Sequence, residues 1–246
     1  DFKSRTIGGV VRHLFRTVLK SNRIVFFQNP DDRDVFVNGG LLEERKSIVI
    51  NGSGVNIDEY SPAPLPDRIT FLLIARLIRD KGIVEYVAAA DELRKRYPDA
   101  RFQLVGPYDI NPTAISEAEV KAWVDAGSIE YLGSLEDVRP ALADASVFVL
   151  PTFYREGTPR TILEAMSMGR PVITTDAPGC RETVNSGENG YLIPTHQVPP
   201  LIEAMEKFLK EPDLITQMGA ASREVAVEKY DVRKVTSAIL DGMQLS

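Results

Sequence analysis

The chain has 246 residues, of which 43% are hydrophobic and 26% are charged, and its formal net charge is −6. This composition excludes a disordered or collagen-like chain, and the acidic balance gives no support for a nucleic-acid partner. The single cysteine, Cys180, excludes an intrachain disulfide framework and is typical of a reducing compartment, and no apolar run reaches the ~18 residues of a membrane span.

The beginning of the chain is basic. Residues 1–30 carry a net charge of +5, which leaves −11 for the remainder. Arg12, Arg16, Lys20 and Arg23 alternate there with apolar residues, as in an amphipathic helix on an anionic membrane surface. A helix with one solvated face explains the pattern equally well. Because the chain opens without Met or a signal-peptide pattern, we expect its natural N terminus to lie upstream.

Short apolar runs alternate with amphipathic stretches along the rest of the chain. The runs are rich in Val, Ile, Leu and Phe, as strands buried on both faces should be. They predict strands at residues 24–28, 47–50, 69–75, 102–105, 129–132, 147–150 and 172–175. Helical patterns cover residues 82–97, a segment that begins at a Ser116/Glu119 capping box, and residues 199–245 with two breaks. The alternation predicts an α/β fold with a doubly wound parallel sheet.

The loop after the strand at 147–150 has the composition of a ligand site, because such sheets bind ligands beyond the carboxyl ends of their strands. Gly157, Thr158 as a cap and Pro159 in a first turn predict a helix N terminus with open backbone N–H groups. Glu156 and Glu164 flank this start and are suited to holding sugar hydroxyls on either side of a diphosphate. Ordinary solvated or salt-bridged glutamates explain the spacing equally well.

Two cations follow the strand at 69–75. Arg76 and Lys81 precede Gly82 and the next helix, where they could neutralise phosphate. Taken alone, surface cations on a solvated loop are the better explanation. Their place at the same sheet edge as Glu156 and Glu164 favours phosphate binding.

Five segments in order resemble the retaining glycosyltransferases of family 4. Glu156 to Glu164 resembles the E-x7-E segment, and Arg76 with Lys81 resembles the Arg…Lys-Gly phosphate clamp. Residues 51–56, which include Gly52, resemble the interdomain glycine loop, and residues 175–184 and 188–193 match in order and spacing. The resemblance extends from about Arg23 to the end of the chain.

The resemblance implies a GT-B architecture of two facing Rossmann-like domains, with this chain as the donor-binding half. Residues 1–50 would be a remnant of the N-terminal acceptor domain, residues 51–230 the donor domain, and residues 231–246 a helix that crosses back to the acceptor domain. The acceptor domain's expected glycine-rich entry loop and histidine are absent from this sequence. His13, in the basic stretch, and His196, in a distal loop, are poor substitutes.

The resemblance also implies a role for each candidate residue. Arg76 and Lys81 would hold the diphosphate of the donor, and Glu156 would contact the transferred sugar. The implied nucleotide-binding residues are Glu164 at the ribose, Gly157 and Thr158 at phosphate, Gly133 near the base, and Gly52 on the interdomain loop. Such enzymes retain the anomeric configuration and need no cofactor or bound metal, and the donor expected for this chain is a UDP-sugar.

The implied function lies in the assembly of bacterial surface polysaccharides such as O-antigen. The acceptor would be a glycan on undecaprenyl diphosphate, which places the protein in the cytoplasm or peripherally on the inner face of the cell membrane. The donor would be UDP-N-acetylgalactosamine, slightly favoured, or UDP-N-acetylglucosamine. Two alternatives remain open: a hexosyltransferase with a soluble acceptor, and a non-catalytic nucleotide-binding module.

Two other motifs are better explained by structure than by chemistry. Asp32 and Asp34 match a D-x-D metal signature, but they follow Pro30 at a predicted helix start, where acidic residues favour the helix dipole. Cys180 has no nearby histidine in the sequence and is expected to be a packed cysteine.

Overall fold

A computed structural model describes Val11 and residues 14–244, so Gly8, Gly9, Arg12 and His13 lie outside the described residues. The strands are β1 (Val25–Phe27), β2 (Ser47–Val49), β3 (Thr70–Ile74), β4 (Arg101–Val105), β5 (Glu130–Tyr131), β6 (Val147–Leu150), β7 (Val172–Thr175) and β8 (Gly190–Ile193). The helices are α1 (residues 14–21), α2 (Pro30–Asn38), α3 (Ile83–Arg96), α4 (Glu117–Asp125), α5 (Arg139–Ala143), α6 (Arg160–Ser167), α7 (Val198–Lys210), α8 (Asp213–Lys229) and α9 (Val232–Met243).

Six of the strands form one parallel sheet in the order β5-β4-β3-β6-β7-β8. The doubly wound α/β fold predicted from the sequence is therefore confirmed. All five residues of β3 are buried, and Phe71 of β3 stacks on its register partner Phe102 of β4 with ring centroids 5.4 Å apart. Burial of the central strand on both faces explains why its sequence is a continuous apolar run.

The sheet reverses its winding between β3 and β6. From β3 the chain adds β4 and β5 on one side, and from β6 it adds β7 and β8 on the other. The connections after β3 and β6 therefore leave toward opposite faces, which opens a crevice at their carboxyl ends. The loops that border this crevice are residues 75–82 and residues 151–159, which carry most of the candidate residues.

Residues 14–50 form a smaller unit beside the large sheet. β1 and β2 pair in parallel, and Leu19, Phe27 and Leu42 make a hydrophobic cluster separate from the main core. The C-terminal helix α9 returns to this unit, since a side chain at Gly242 would meet Phe26 and Ile48 at 2.9 Å.

The proline-rich connector at residues 61–66 is tied to the large domain by a buried arginine. The Arg170 guanidinium is 1% exposed and donates to the carbonyl groups of Ala63 and Pro64 at 3.0 and 2.9 Å. It also donates to the carbonyl groups of Leu142 and Ala143 at the end of α5, both at 3.0 Å. One side chain thus binds four carbonyl groups, two in the proline-rich connector and two at the end of α5, and ties these segments together.

Candidate active site

The loops after β3 and β6 are in contact at Gly82, and hydrogen bonds to the backbone carbonyl group of Asp80 join them. Gly82 has φ +73°, and a side chain there would overlap the carbonyl oxygen of Pro151. The carbonyl oxygen of Asp80 accepts the N–H groups of Phe153 and Tyr154 at 2.9 and 3.0 Å. It also accepts the hydroxyl of Thr152 at 3.0 Å. Any movement of the loop that carries Lys81 is therefore transmitted to the loop that carries Glu156.

Lys81 and Glu156 form an ion pair in the crevice. Their side chains are 11% and 16% exposed, and the Lys81 ammonium lies 5.1 Å from the ring centroid of Tyr154. The Thr152 hydroxyl is 3.5 Å from the carboxylate of Glu156. The crevice therefore holds a cation suited to phosphate directly beside a carboxylate suited to a hydroxyl or to developing positive charge.

Thr158 does not cap the next helix, so that part of the sequence prediction is wrong. Helix α6 begins at Arg160 with extended Pro159 as its N-cap residue, which places Thr158 one residue too early. The N–H of Thr158 donates to Gln28 Oε1 at 2.9 Å and its hydroxyl to the Gln28 carbonyl oxygen at 3.3 Å. The unpaired N–H groups of the first helical turn begin at Arg160, and a phosphate contact by Gly157 or Thr158 stays a prediction.

Glu164 is a buried carboxylate on α6. It is 6% exposed, lies 3.3 Å from the guanidinium of Arg160, and faces the Tyr60 hydroxyl. Burial raises the pKa of Glu164, and burial together with this carboxylate raises the pKa of Tyr60 to about 12. A buried carboxylate with a raised pKa is costly to keep for structure alone, which favours a binding role. The sequence pattern does not predict Tyr60 as its partner.

Arg76 lies on the same loop as Lys81 but pairs elsewhere. Its half-exposed guanidinium contacts the Asp109 carboxylate at 2.9 Å. The backbone N–H of Asn111, and then Arg76 itself, lower the pKa of Asp109. Convergence of Arg76 and Lys81 on one anion remains a prediction, and it requires Arg76 to leave Asp109.

The two remaining candidates are glycines on neighbouring loops. Gly52 packs against Thr158, because a side chain there would lie 2.7 Å from the Thr158 Cβ. The Gly133 carbonyl after β5 accepts the N–H of Gly106 after β4 at 2.9 Å, and the space around Gly133 is open. Both residues border the carboxyl edge of the sheet, and their roles at the nucleotide stay predictions.

The motifs set aside in the sequence have protein partners or are buried in the structure. Asp32 pairs with Arg155 at 3.0 Å and Asp34 with Arg33 at 2.8 Å. Across Val11 and residues 14–244, no cluster of three or more His, Cys, Asp or Glu side chains could hold a metal ion. Cys180 is buried, which raises its pKa to about 12 and keeps it protonated, so the expectation of a packed cysteine is confirmed.

His196 is closer to the crevice than its place in the sequence suggests. It was expected in a distal loop, yet its ring centroid lies 3.8 Å from that of Phe153. Phe153 belongs to the loop after β6 and is held by the Asp80 carbonyl group. The correction follows from the topology, because β8 is an unpredicted strand whose carboxyl end lies on the same sheet edge as that of β6.

Known proteins are similar to this chain in sequence. The model of a family described as "Glycosyl transferases group 1" matches residues 68–211. The chain is 27% identical over 244 residues to the Campylobacter jejuni N,N'-diacetylbacillosaminyl-diphospho-undecaprenol alpha-1,3-N-acetylgalactosaminyltransferase, covering 94% of this chain and 62% of the relative. It is 24% identical to the putative colanic acid biosynthesis glycosyltransferase WcaL of Escherichia coli, covering 96% of this chain and 65% of WcaL. The chain thus spans less than two thirds of either relative.

Solved structures share the fold at lower sequence identity. Sucrose-phosphate synthase from Thermosynechococcus elongatus superposes with a TM-score of 0.81 at 22% identity, over 95% of this chain and 60% of that one. HepE of Anabaena, solved in complex with UDP, superposes with a TM-score of 0.82 at 19% identity, over 95% of this chain and 68% of that one. These matches support a Rossmann-like domain of the GT-B kind.

Proposed function

Since the chain belongs to the glycosyl transferases group 1 family, we propose that it is the donor-binding part of a retaining transferase that moves a sugar from a UDP-sugar to a lipid-diphosphate-linked glycan. The pathway class is the biosynthesis of O-antigen or another surface polysaccharide. No cofactor enters the proposal beyond the donor substrate itself.

One observation carries the proposal: the ion pair of Lys81 and Glu156 at the reversal point of the sheet. A protein that only binds nucleotides gains from Lys81 but gains nothing from a carboxylate beside the phosphates. A transferase needs both, because the departing diphosphate is negative while the sugar gains positive charge as its bond to phosphate breaks. This pairing of charges argues against a non-catalytic nucleotide-binding module.

The proposed step follows from these charges. The bond from the sugar's anomeric carbon to the phosphate oxygen breaks, and a bond to the acceptor oxygen forms on the same face. The acceptor's proton goes to an oxygen of the departing diphosphate. Arg76 and Lys81 stabilise that diphosphate, Glu156 contacts the sugar, and Glu164 holds the ribose. Gly157, Thr158, Gly133 and Gly52 complete the proposed nucleotide site.

The donor sugar, the base and the acceptor are proposed from the names of the relatives and the ligands of the solved structures. The Campylobacter relative is named for N-acetylgalactosamine transfer to an undecaprenol diphosphate, which supports UDP-N-acetylgalactosamine over UDP-N-acetylglucosamine as the donor proposed here. HepE was solved with UDP, which supports uracil as the base of the donor nucleotide proposed here. The structural match to sucrose-phosphate synthase keeps a hexosyltransferase with a soluble acceptor as the second candidate.

The domain division and the location are part of the same proposal. We assign residues 1–50 to the acceptor domain, residues 51–230 to the donor domain, and residues 231–246 to the returning helix. No helix within the described part of the chain is long and apolar enough to span a bilayer. Leu14 and Val18 on α1 are 58% and 59% exposed, which supports peripheral contact of this helix with the inner face of the cell membrane.

The direct test is calorimetry with UDP and with UDP-sugars. Arg76→Ala and Lys81→Ala should each weaken UDP binding about tenfold or more, because each removes a charge-assisted contact of ~1.5–3 kcal/mol. Arg79→Ala is the matched control, since Arg79 lies on the same loop but pairs with Glu119. Equal affinity in the Arg76 and Lys81 variants and in the wild type would contradict the proposed phosphate site.

Glu164 should show opposite effects on stability and binding. Burial raises the pKa of Glu164, so the ionised carboxylate lowers the stability of the fold at pH values above the raised pKa. This loss of stability disappears as the pH falls below the ordinary pKa of glutamate, because the carboxyl group is then protonated in both the folded and the unfolded chain. Glu164→Gln should therefore raise Tm at pH 8, with a smaller gain near pH 4. UDP affinity should fall several-fold because a charged acceptor for the ribose is lost.

The exposed Glu203 on α7 gives the control for that experiment. Glu203→Gln should change neither Tm nor UDP affinity. A Glu164→Gln variant that is less stable than the wild type at pH 8 would show that its contacts with Arg160 and Tyr60 outweigh burial.

A further inference from the structure

Two amide side chains from the junction of β1 and α2 hold both ends of the turn that carries Glu156. Gln28 Oε1 accepts the N–H of Thr158 at 2.9 Å. Asn29 Nδ2 donates to the carbonyl oxygen of Glu156 at 3.2 Å. Both amides come from the segment assigned to the acceptor domain, more than 120 residues away in sequence. The turn is therefore held from outside the domain that contains it.

Asn29 is fully buried, and both polar atoms of its side chain form hydrogen bonds. Its Oδ1 accepts the N–H of Asp32 at 2.8 Å and so caps α2. Its Nδ2 donates to Asp32 Oδ2 at 3.0 Å as well as to the Glu156 carbonyl oxygen. A buried amide with every group paired fixes the positions of its partners, because breaking any one bond leaves a buried polar atom unsatisfied.

The turn is also enclosed by packing. A side chain at Gly157 would overlap Gln28 Oε1, and a side chain at Gly179 on the opposite side would overlap the Gly157 carbonyl oxygen. The backbone of residues 156–158 is thus confined between an amide and another backbone. Two ion pairs flank it, Asp32 with Arg155 at 3.0 Å and Asp31 with Arg181 at 3.1 Å.

We propose that Gln28 and Asn29 are positioning residues that hold the backbone of Glu156 where its carboxylate meets the donor sugar. This inference rests on the proposed transferase function. The two amides touch neither sugar nor phosphate in this role; they act through the backbone of residues 156–158. A shift of that backbone by about 1 Å is enough to lower the rate by about 10²-fold. The affinity for the nucleotide should change little, because the charged side chains proposed to hold it, Arg76, Lys81 and Glu164, lie on other segments.

The chemistry of the amides provides a sharp test. Asn29→Asp keeps the acceptor that caps α2, since Asn and Asp are equivalent N-caps, but it loses the donor both to the Glu156 carbonyl group and to the Asp32 carboxylate. Gln28→Met loses the acceptor for the Thr158 N–H at nearly constant size, whereas Gln28→Glu keeps an acceptor. Asp31→Asn is the matched control, because it weakens a neighbouring ion pair that does not touch residues 156–158.

In the full-length transferase, kcat with the UDP-sugar should fall about tenfold or more in Asn29→Asp and Gln28→Met, with the Kd for UDP within threefold of wild type. Gln28→Glu should recover most of the rate, and Asp31→Asn should stay within twofold. Thermal melts check that every variant folds. If Asn29→Asp does not fold, the kcat of Gln28→Met tests the inference.

Two outcomes overturn the inference and are distinguishable. If the wild type binds no UDP-sugar, the proposed function fails and the positioning role fails with it. If the wild type transfers sugar and Gln28→Met transfers it at the same rate, the amides do not position Glu156. The same conclusion follows if Asp31→Asn loses as much kcat as the amide variants, because the amides would then only hold the two domains together.

Discussion

In the full-length transferase, replacing Glu156 with glutamine is expected to lower kcat by about 10²–10³ while the affinity for UDP stays unchanged or rises slightly. The carboxylate contributes most when the sugar carries positive charge, which happens in the transition state and not in the bound donor. Its loss also leaves Lys81 without its ion-pair partner, so the cation remains free for phosphate. Steady-state kinetics with saturating UDP-sugar, together with calorimetry of UDP, measure the two effects.

Glu164→Gln is the comparison for this variant. It should raise the KM for the donor with less effect on kcat, because the ribose contact exists in substrate, transition state and product alike. If Glu156→Gln mainly raises KM while Glu164→Gln mainly lowers kcat, the roles proposed for the two glutamates are reversed.

Gly179→Ala is expected to lower the rate of sugar transfer about 10²-fold, with an affinity for UDP close to that of the wild type. Gly179 has φ +84°, where a side chain is strained, and the new Cβ would overlap the carbonyl oxygen of Gly157. The overlap can be relieved only if the turn at residues 156–158 moves, because that turn is packed between the loop of Gly179 and Gln28. UDP-sugar calorimetry and turnover on the same preparation measure the loss.

Gly187→Ala separates backbone strain from displacement of the turn. Gly187 has a similar φ of +91°, but a side chain there meets nothing within 4 Å. It should cost ~1–2 kcal/mol of stability from strain and leave transfer near the wild-type rate. Equal loss of transfer in both variants would show that strain in the fold, and not contact with Gly157, causes the effect.

The sheet could be predicted from the sequence because its strands are buried on both faces. Residues 147–150 and 172–175 were predicted with the observed bounds, and the loops that follow strands identified the crevice. Strand β8 was not predicted, since it begins with Gly190 and leaves Tyr191 and Leu192 half-buried at the sheet edge. A short edge strand lacks the continuous apolar run by which the others are recognised.

The partners of the candidate residues could not be predicted in the same way. The hydrogen bonds of Gln28 and Asn29 join residues 130 and 127 positions apart, and no local pattern encodes such contacts. Tyr60 beside Glu164 and His196 beside Phe153 are of the same kind. The capping role expected of Thr158 failed because the extended Pro159 shifts the helix start by one residue. The spacing of residues in the sequence indicates which residue types lie at the carboxyl edge of the sheet. Tertiary packing determines which residues each of them contacts.

The contacts of residues 28–32 with the proposed donor domain bear on how glycosyltransferases of this family could exchange parts during evolution or engineering. A recombination at residue 50 would bring in a foreign segment at Gln28, Asn29 and Asp32, opposite an unchanged turn at residues 156–158. A crossover upstream of Arg23 keeps the amides, the helix α2 and their partners together as one inherited block. The part of the chain that forms the proposed active site thus begins upstream of the large sheet. A chimera with a foreign acceptor domain therefore needs its junction upstream of Arg23.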